Sequence, residues 1–269
     1  MSNTAHTHWR ARLTHQAGAL LASLILFAPN LAAQSKTNGN GNGSAVDPKA
    51  VDALRKMGAH LRTLKRFGVQ AEGVRDEVSA SGQKIQLGGT ISYLVRTPNG
   101  LRAEIRTDRK QRQIFYDGKT LTVYAPRMKY YASTAAPPTI RAMLDQAHNK
   151  LGLEFPLADL FTWGTESDGV KDITAARYVG PAYVNGADTD HYAFRQDDAD
   201  WQLWIERGAN PLPRKLVITT TTEPSEPQYA VTLTWDLAAR FNDTVFAFVP
   251  PTDASKIPFA TAVAVAKKP

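Results

Sequence analysis

The stretch "KIQLGGTISYLVRTPNGLRAEIR" alternates apolar and polar positions: Ile85, Leu87, Ile91, Tyr93 and Val95 interleave with Gln86, Thr90, Ser92 and Arg96. After a Pro98-Asn99-Gly100 turn, Leu101, Ala103 and Ile105 alternate with Arg102, Glu104 and Arg106. A period of two predicts strands with one buried and one wet face, as in an antiparallel sheet covered on one side. Gly88-Gly89 inside the first strand predicts a bulge or a sharp bend, the means by which a sheet curves. In "FYDGKTLTVYAP" the Asp117-Gly118 pair signals a hairpin. A two-residue loop puts Ile114, Tyr116, Leu121 and Val123 on one face, a three-residue loop shifts the partners by one, and the pattern leaves both open. One more short strand follows before Pro137-Pro138 stops the ladder.

The alternation resumes later. Trp201, Leu203 and Ile205 interleave with Gln202, Trp204 and Glu206, and Tyr229, Val231, Leu233, Trp235 and Leu237 interleave with Ala230, Thr232, Thr234 and Asp236. Turn signals at 185–186, 197–200, 208–213 and 223–227 divide this half into about six to eight strands.

Two segments have helical spacing instead. Asp47-Pro48 offers an N-cap with proline at the first helical position, and Val51, Leu54, Met57, Leu61 and Leu64 follow at steps of three and four. In 139–152, Ile140, Met143, Leu144, Ala147 and Leu151 form a stripe opposite Arg141, Asp145 and Asn149, closed by Gly152. "PLADLFTW", 156–163, reads as a second short, very apolar helix. The fold class is therefore mostly antiparallel β within α+β: a curved sheet with an N-terminal helix and a helical insertion laid across its concave face. That insertion is either a fixed cover for the core or a movable lid.

Composition then places the chain outside the cytoplasm. Arg10 and Arg12 precede the apolar run "AGALLASLILFA" and the exit "PNLAAQS", an export signal with cleavage expected after Ala33. The run is too short for a bilayer span, which needs about 20 apolar residues. Residues 34–46, rich in Gly and Asn, read as a flexible linker, 47–260 as one domain, and 261–269 as a tail. There is no cysteine, so an exported chain must hold together through its core alone. The formal charge is +7, lowered by 2 if Arg10 and Arg12 are removed. For an exported chain this points to anionic lipid surfaces ahead of nucleic acid, or to an ordinary solubilising charge. The loop "RTDRKQRQ" gathers Arg106, Arg109, Lys110 and Arg112 as a candidate membrane contact, or as a solvated hairpin tip.

Candidate chemistry is sparse. His60, His148 and His191 lack paired ligands at helical spacing, and "DTDH" and "DDAD" fall at turns, where Asp satisfies its own backbone. Neither run matches an EF-hand or a zinc signature. No G-x-S-x-G, P-loop or Cys nucleophile occurs. The reading is non-enzymatic, with no catalytic residue, metal or cofactor.

"YLVRTPNGLRAE", "FYDGKTLTVYAP", "WIERGANPLPRKLVIT" and "FAFVPPTDA" occur in the order and approximate spacing of the periplasmic lipoprotein-carrier superfamily of LolA and LolB type. Over residues 51–251 the chain most closely resembles an uncharacterised family of predicted periplasmic proteins near it, a DUF2092-like domain. The resemblance implies an open half-barrel with a helix-bearing lid, whose apolar cleft takes up acyl chains. In the carrier an Arg directly before the Pro gates the lid. Here Thr97 holds that place and Arg96 stands one step earlier, on the opposite face of a strand unless a bulge turns it inward. Arg96 is thus a candidate gate in a position that does not match.

An acyl chain needs only apolar wall, at about 0.8 kcal/mol per buried CH₂. The wall candidates are Ile91, Tyr93, Val95, Ile105, Leu203, Ile205, Val231, Leu233 and Trp235 from the strands, with Met143, Leu144, Leu151, Phe155 and Phe161 from the insertion. The expected function is binding or carrying a lipid, a lipoprotein acyl chain or another hydrophobic ligand, as a monomer. The alternative is a non-enzymatic envelope-sensing or protein-interaction module on the same fold.

Overall fold

The computed structural model describes residues 45–166 and 168–259. The export signal, most of the linker and the tail lie outside them. Chain order is α1 (Pro48–Thr63), β1 (Arg66–Val78), β2 (Lys84–Arg96), β3 (Gly100–Thr107), β4 (Gln111–Tyr116), β5 (Thr120–Ala125), β6 (Tyr130–Ala135), α2 (Ile140–Leu151), β7 (Ala175–Val184), β8 (Ala187–Arg195), β9 (Ala199–Glu206), β10 (Pro213–Thr220), β11 (Gln228–Asp236) and β12 (Ser255–Lys256). All strands join one curved, open sheet in the order β12-β6-β5-β4-β3-β2-β1-β11-β10-β9-β8-β7. Every pairing is antiparallel except β12 on β6. Two meanders therefore meet at the centre, where β1 pairs with β11 from Gly68↔Asp236 to Arg75↔Tyr229.

Both helices begin and end where capping chemistry puts them. The Asp47 carboxylate accepts from Lys49 N at 2.9 Å ahead of Pro48, and Thr139 Oγ1 accepts from Ala142 N at 3.2 Å. α2 closes on Gly152 at φ 61°, the left-handed turn that releases the chain from a helix. The linker reading needs one amendment. Ala45 and Val46 already pair with β7, Ala176 N donating to Ala45 O and Asp47 N to Ala176 O.

The Gly88-Gly89 position is a bend and not a bulge. Pairing of β1 with β2 runs one-to-one from Arg66↔Arg96 to Val78↔Lys84, with Gly73 opposite Gly89. A Cβ on Gly73 would lie 2.5 Å from Ala230 O, and one on Gly89 2.9 Å from Arg106 O. The sheet coils so tightly here that neighbouring backbones occupy the side-chain space. The bulges fall elsewhere, between Tyr178 and Gly180 and between Pro213 and Lys215.

The 115–126 hairpin pairs Tyr116 with Leu121, so its loop is 117–120, neither of the two lengths expected. The Asp117 carboxylate accepts from Lys119 N and Thr120 N at 2.9 and 2.8 Å and closes the turn. Two extra residues preserve strand parity, so Ile114, Tyr116, Leu121 and Val123 still share the inner face. Segment 156–163 is not an α-helix. Pro156 has no N–H to give, Leu157 turns left-handed at φ 59°, and only a 3-10 turn, Ala158–Phe161, forms.

The outer face of β3–β6 is also covered. A 3-10 turn, Asp243–Phe246, brings Phe246 to 1% exposure. Phe248 meets the rings of Phe115, Tyr124 and Tyr131 at centroid distances of 5.1, 5.4 and 5.0 Å. Arg66 and Arg96 both pair with Asp243.

Candidate hydrophobic ligand site

The inner face of the sheet carries one continuous apolar cluster, closed by α1, α2 and the segment between α2 and β7. α1 contributes Ala50, Val51, Leu54, Met57 and Leu61 because its buried positions recur at three and four; α2 contributes Ile140, Met143, Leu144 and Ala147 for the same reason. Phe155, Leu157, Leu160 and Trp163 follow from the irregular stretch.

Every wall candidate falls in or against this cluster. Ile91, Tyr93, Val95, Leu203, Ile205, Val231, Leu233, Met143, Leu144 and Phe155 are buried, while Ile105, Leu151, Phe161 and Trp235 are partly buried against them. Tyr93 takes Phe161 edge-on, with centroids 6.0 Å apart at 80°. Trp235 Nε1 donates to Pro213 O at 2.8 Å. On the inner face these side chains pack against one another. Two hollows, of about 510 and 460 Å³, are found among the described residues. The larger crosses the glycine bend among Glu72, Thr90, Arg106, Lys215 and Thr232, outward-facing residues. The smaller lies at β7–β9, lined by Arg177, His191 and Gln202 from the outer face and by Ala176, Phe194 and Trp201, which belong to the cluster or pack against it.

Polar ties hold the cover at several points, among them Gln146 Nε2 to Ala135 O at 2.8 Å and Gln196 Nε2 to Gly169 O at 3.1 Å. Arg62 of α1 donates to Trp163 O at 2.5 Å and Leu160 O at 2.6 Å. Burial first, then the nearby Arg141 charge, lowers its guanidinium pKa. Tyr93 Oη donates to Pro156 O at 2.6 Å, and burial pushes that phenol well above its usual range. Tyr116 Oη donates to Pro137 O at the start of the segment, its phenol pushed up to about 12 by burial and then by Asp117. Between the ties, α1 and the cover touch backbone to backbone: a Cβ on Gly58 would lie 2.5 Å from Gly164 N. Arg62, Gly58 and Gly164 were not singled out from sequence. A glycine inside an otherwise regular helical pattern was the available signal.

A profile of the family described as "Predicted periplasmic protein (DUF2092)" matches residues 50–260. The chain belongs to that family. A search of curated proteins finds no match. Among solved structures, LprF from Mycobacterium bovis is 12% identical at TM-score 0.45, covering 79% of this chain and 100% of its own. Lipoprotein LppX from Mycobacterium tuberculosis is 9% identical at 0.45, covering 73% and 100%. A LolA superfamily protein from Nitrosomonas europaea is 11% identical at 0.31, covering 74% and 97%. At these scores the likeness goes no further than general layout.

Arg96 does not reach the cover. With β2 unbroken it points to the outer face, pairs with Asp243, donates to Asn99 Oδ1 at 3.0 Å and sits over the Phe246 ring at 5.1 Å. The bulge that a gate at this position required is absent from β2, and Arg96 instead fastens the C-terminal segment. Thr97 Oγ1 donates to Leu64 O at 2.9 Å, just after α1. In the basic loop Arg106 pairs with Glu104 and Arg109 with Glu77, while Lys110 and Arg112 are exposed. Asp190 accepts from Arg207 and Tyr178, and Asp200 from Arg195, so these carboxylates serve the sheet surface.

Proposed function

We propose that this chain is a non-enzymatic periplasmic protein, its export signal cleaved after Ala33, that takes up a lipid, a lipoprotein acyl chain or another hydrophobic ligand on the inner face by exchanging it for part of the cover. The observation that carries this reading is the apolar wall itself: Tyr93, Val95, Leu203, Val231 and Leu233 lie on one face of the central strands, closed by α1, α2 and the segment that follows α2. Magnitudes support exchange. A chain of about sixteen carbons gains on the order of 12 kcal/mol when its CH₂ groups leave water, and six buried side chains of the cover gain about 9–18 kcal/mol on the same scale. Terms of similar size allow one occupant to replace the other. Lys110 and Arg112, with Arg106 and Arg109, give the protein a basic tip for an anionic membrane, and it acts as a monomer.

The test is extraction and mass spectrometry of lipids from the full chain purified from a Gram-negative periplasm, with uptake of 1-N-phenylnaphthylamine by the stripped protein. Lipid near one per chain, or saturable uptake, supports the carrier. Repeated absence of both supports the second reading, a sensing or interaction module, which is favoured by the hollow of about 510 Å³ on the outer side. Flotation with vesicles containing anionic lipid tests the basic tip.

A further inference from the structure

The outer face of β7–β10 carries a cross-strand stack that stops one member short of the sheet edge. In register, Lys215 lies opposite Trp204, Trp204 opposite His191, and His191 opposite Gly180. Lys215 Nζ sits 4.6 Å from the Trp204 ring centroid, and the His191 ring stacks on Trp204 at 3.9 Å with 7° between the planes. His191 Nε2 meets Gln202 Oε1 at 3.0 Å, which holds the imidazole in that plane. One face of the imidazole is thus covered, and the other turns toward β7, one strand spacing or about 4.8 Å away. Gly180 has no side chain to put there, and a Cβ built on it would meet nothing within 4 Å. β7 also bulges at this point, between Tyr178 and Gly180.

The hollow of about 460 Å³ lies against the same groups, with Arg177, Val179, His191, Ala193 and Gln202 in its wall. Arg177, Ala193 and Gln202 form the next outward row, so two long polar side chains flank a single methyl. Arg195 and Asp200, also in the wall, neutralise each other through two contacts of 2.6 Å. Arg177 is exposed and makes no ion pair among the described residues, so its guanidinium is the uncompensated charge of the hollow.

We propose that this hollow binds a planar aromatic acid, its ring stacked on the open face of His191 over Gly180 and its anionic group on Arg177. Each half of the ligand answers one feature. A flat ring fits the strand spacing that sets the next member of the stack, and offset stacking is a favoured arrangement of rings. Gly180 and Arg177 are three residues apart on β7, at most about 10 Å, a gap that the arginine stem and a ring-bound carboxylate close between them. The guanidinium offers a carboxylate two parallel N–H donors, whereas an amine would meet a like charge. The site lies on the outer face and does not depend on the inner-face reading.

The experiment is titration calorimetry of the full-length exported protein with 2-naphthoate. The comparators are 2-naphthalenemethanol, which has the ring without the charge, and cyclohexanecarboxylate, which has the charge without the flat ring. One 2-naphthoate per chain is expected, bound about tenfold more tightly than either comparator. Arg177→Gln is expected to weaken 2-naphthoate by about tenfold, the equivalent of one charged hydrogen bond, and to leave 2-naphthalenemethanol unchanged. Ala193→Leu adds bulk to the hollow without removing a contact group, and is expected to weaken 2-naphthoate as well. Equal affinity for the three compounds, no binding of 2-naphthoate, or unchanged 2-naphthoate binding in either variant would overturn the site. Uptake of 1-N-phenylnaphthylamine, which reports on the inner wall, is expected to be the same in wild type and both variants, so the two readings fail separately.

Discussion

Asp159 is the residue whose ionisation bears most directly on the cover. Burial pushes its carboxyl from the ordinary 3.8 up to about 6. The sign follows from linkage: a raised carboxyl pKa means the folded state holds the proton more tightly than the unfolded chain. Below about pH 4 the group is neutral in both states and has no effect; stability is lost as pH climbs from there through about 6. Asp159→Asn lacks this ionisation. The variant is expected to melt with the wild type at pH 4 and above it at pH 8, by about 2–4 °C for each kcal/mol relieved. Calorimetry at the two pH values checks it, and a pH-independent difference would show that the carboxylate is solvated in the folded state. Tyr229→Phe is expected to be neutral or stabilising by about 1–3 kcal/mol, since it removes a buried hydroxyl without a partner. None of this was legible in the sequence, where Tyr229 and Trp201 read as apolar positions of alternating strands and Asp159 as part of an apolar run, because an unsatisfied atom is defined only by what three dimensions fail to bring near it.

At the scale of elements, α1 and the cover act as a latch. Glycine to alanine inside a helix normally gains roughly 0.5–1 kcal/mol. At Gly58 the added methyl would meet Gly164 N at 2.5 Å, backbone that cannot swing aside as a side chain does. Gly58→Ala is therefore expected to destabilise by more than about 1 kcal/mol, a reversal of the usual sign. Arg62→Met keeps the aliphatic stem and removes both donors to Leu160 and Trp163. Hydrogen bonds to charged groups contribute about 1.5–3 kcal/mol, so local opening of 157–164 should increase by about 10- to 100-fold in hydrogen exchange, with faster probe uptake. Exchange unchanged in that segment would mean that apolar contact alone holds it. Elements with two agreeing signals were legible in advance: α2 has a stripe and a Gly152 stop, and each strand has its parity. The 3-10 turn had one signal, apolarity, and Pro156 with left-handed Leu157 overrode it. Parity also placed Arg96 on the outer face, as found, whereas its partner Asp243 lies 147 residues away and leaves no local trace.

The whole molecule is asymmetric about the β1–β11 seam. One meander, β2–β6, is sandwiched: the apolar cluster lies inside and the C-terminal segment outside. The other, β7–β10, has residues such as Arg177, His191, Gln202 and Lys215 on its outer face, with His191 stacked on Trp204 at 3.9 Å. A sheet held on both faces is stiff, so any movement that admits a ligand to the inner face is expected on the β7–β10 side, next to Trp201 and Tyr229. What fastens the C-terminal strap decides whether that asymmetry persists. Two attachments compete: the Arg66 and Arg96 pairs with an exposed Asp243, and the burial of Phe246 at 1% exposure. Exposed ion pairs gain little because water and salt screen them, whereas removing a buried phenylalanine costs about 3–5 kcal/mol, a large part of the 5–15 kcal/mol that holds a typical domain together. Phe246→Ala is therefore expected to lower the denaturation midpoint sharply and speed hydrogen exchange in β3–β6, with Asp243→Ala close to wild type in both. The opposite order, with Asp243→Ala the more damaging, would show that the strap is held electrostatically, and it would then loosen as salt rises.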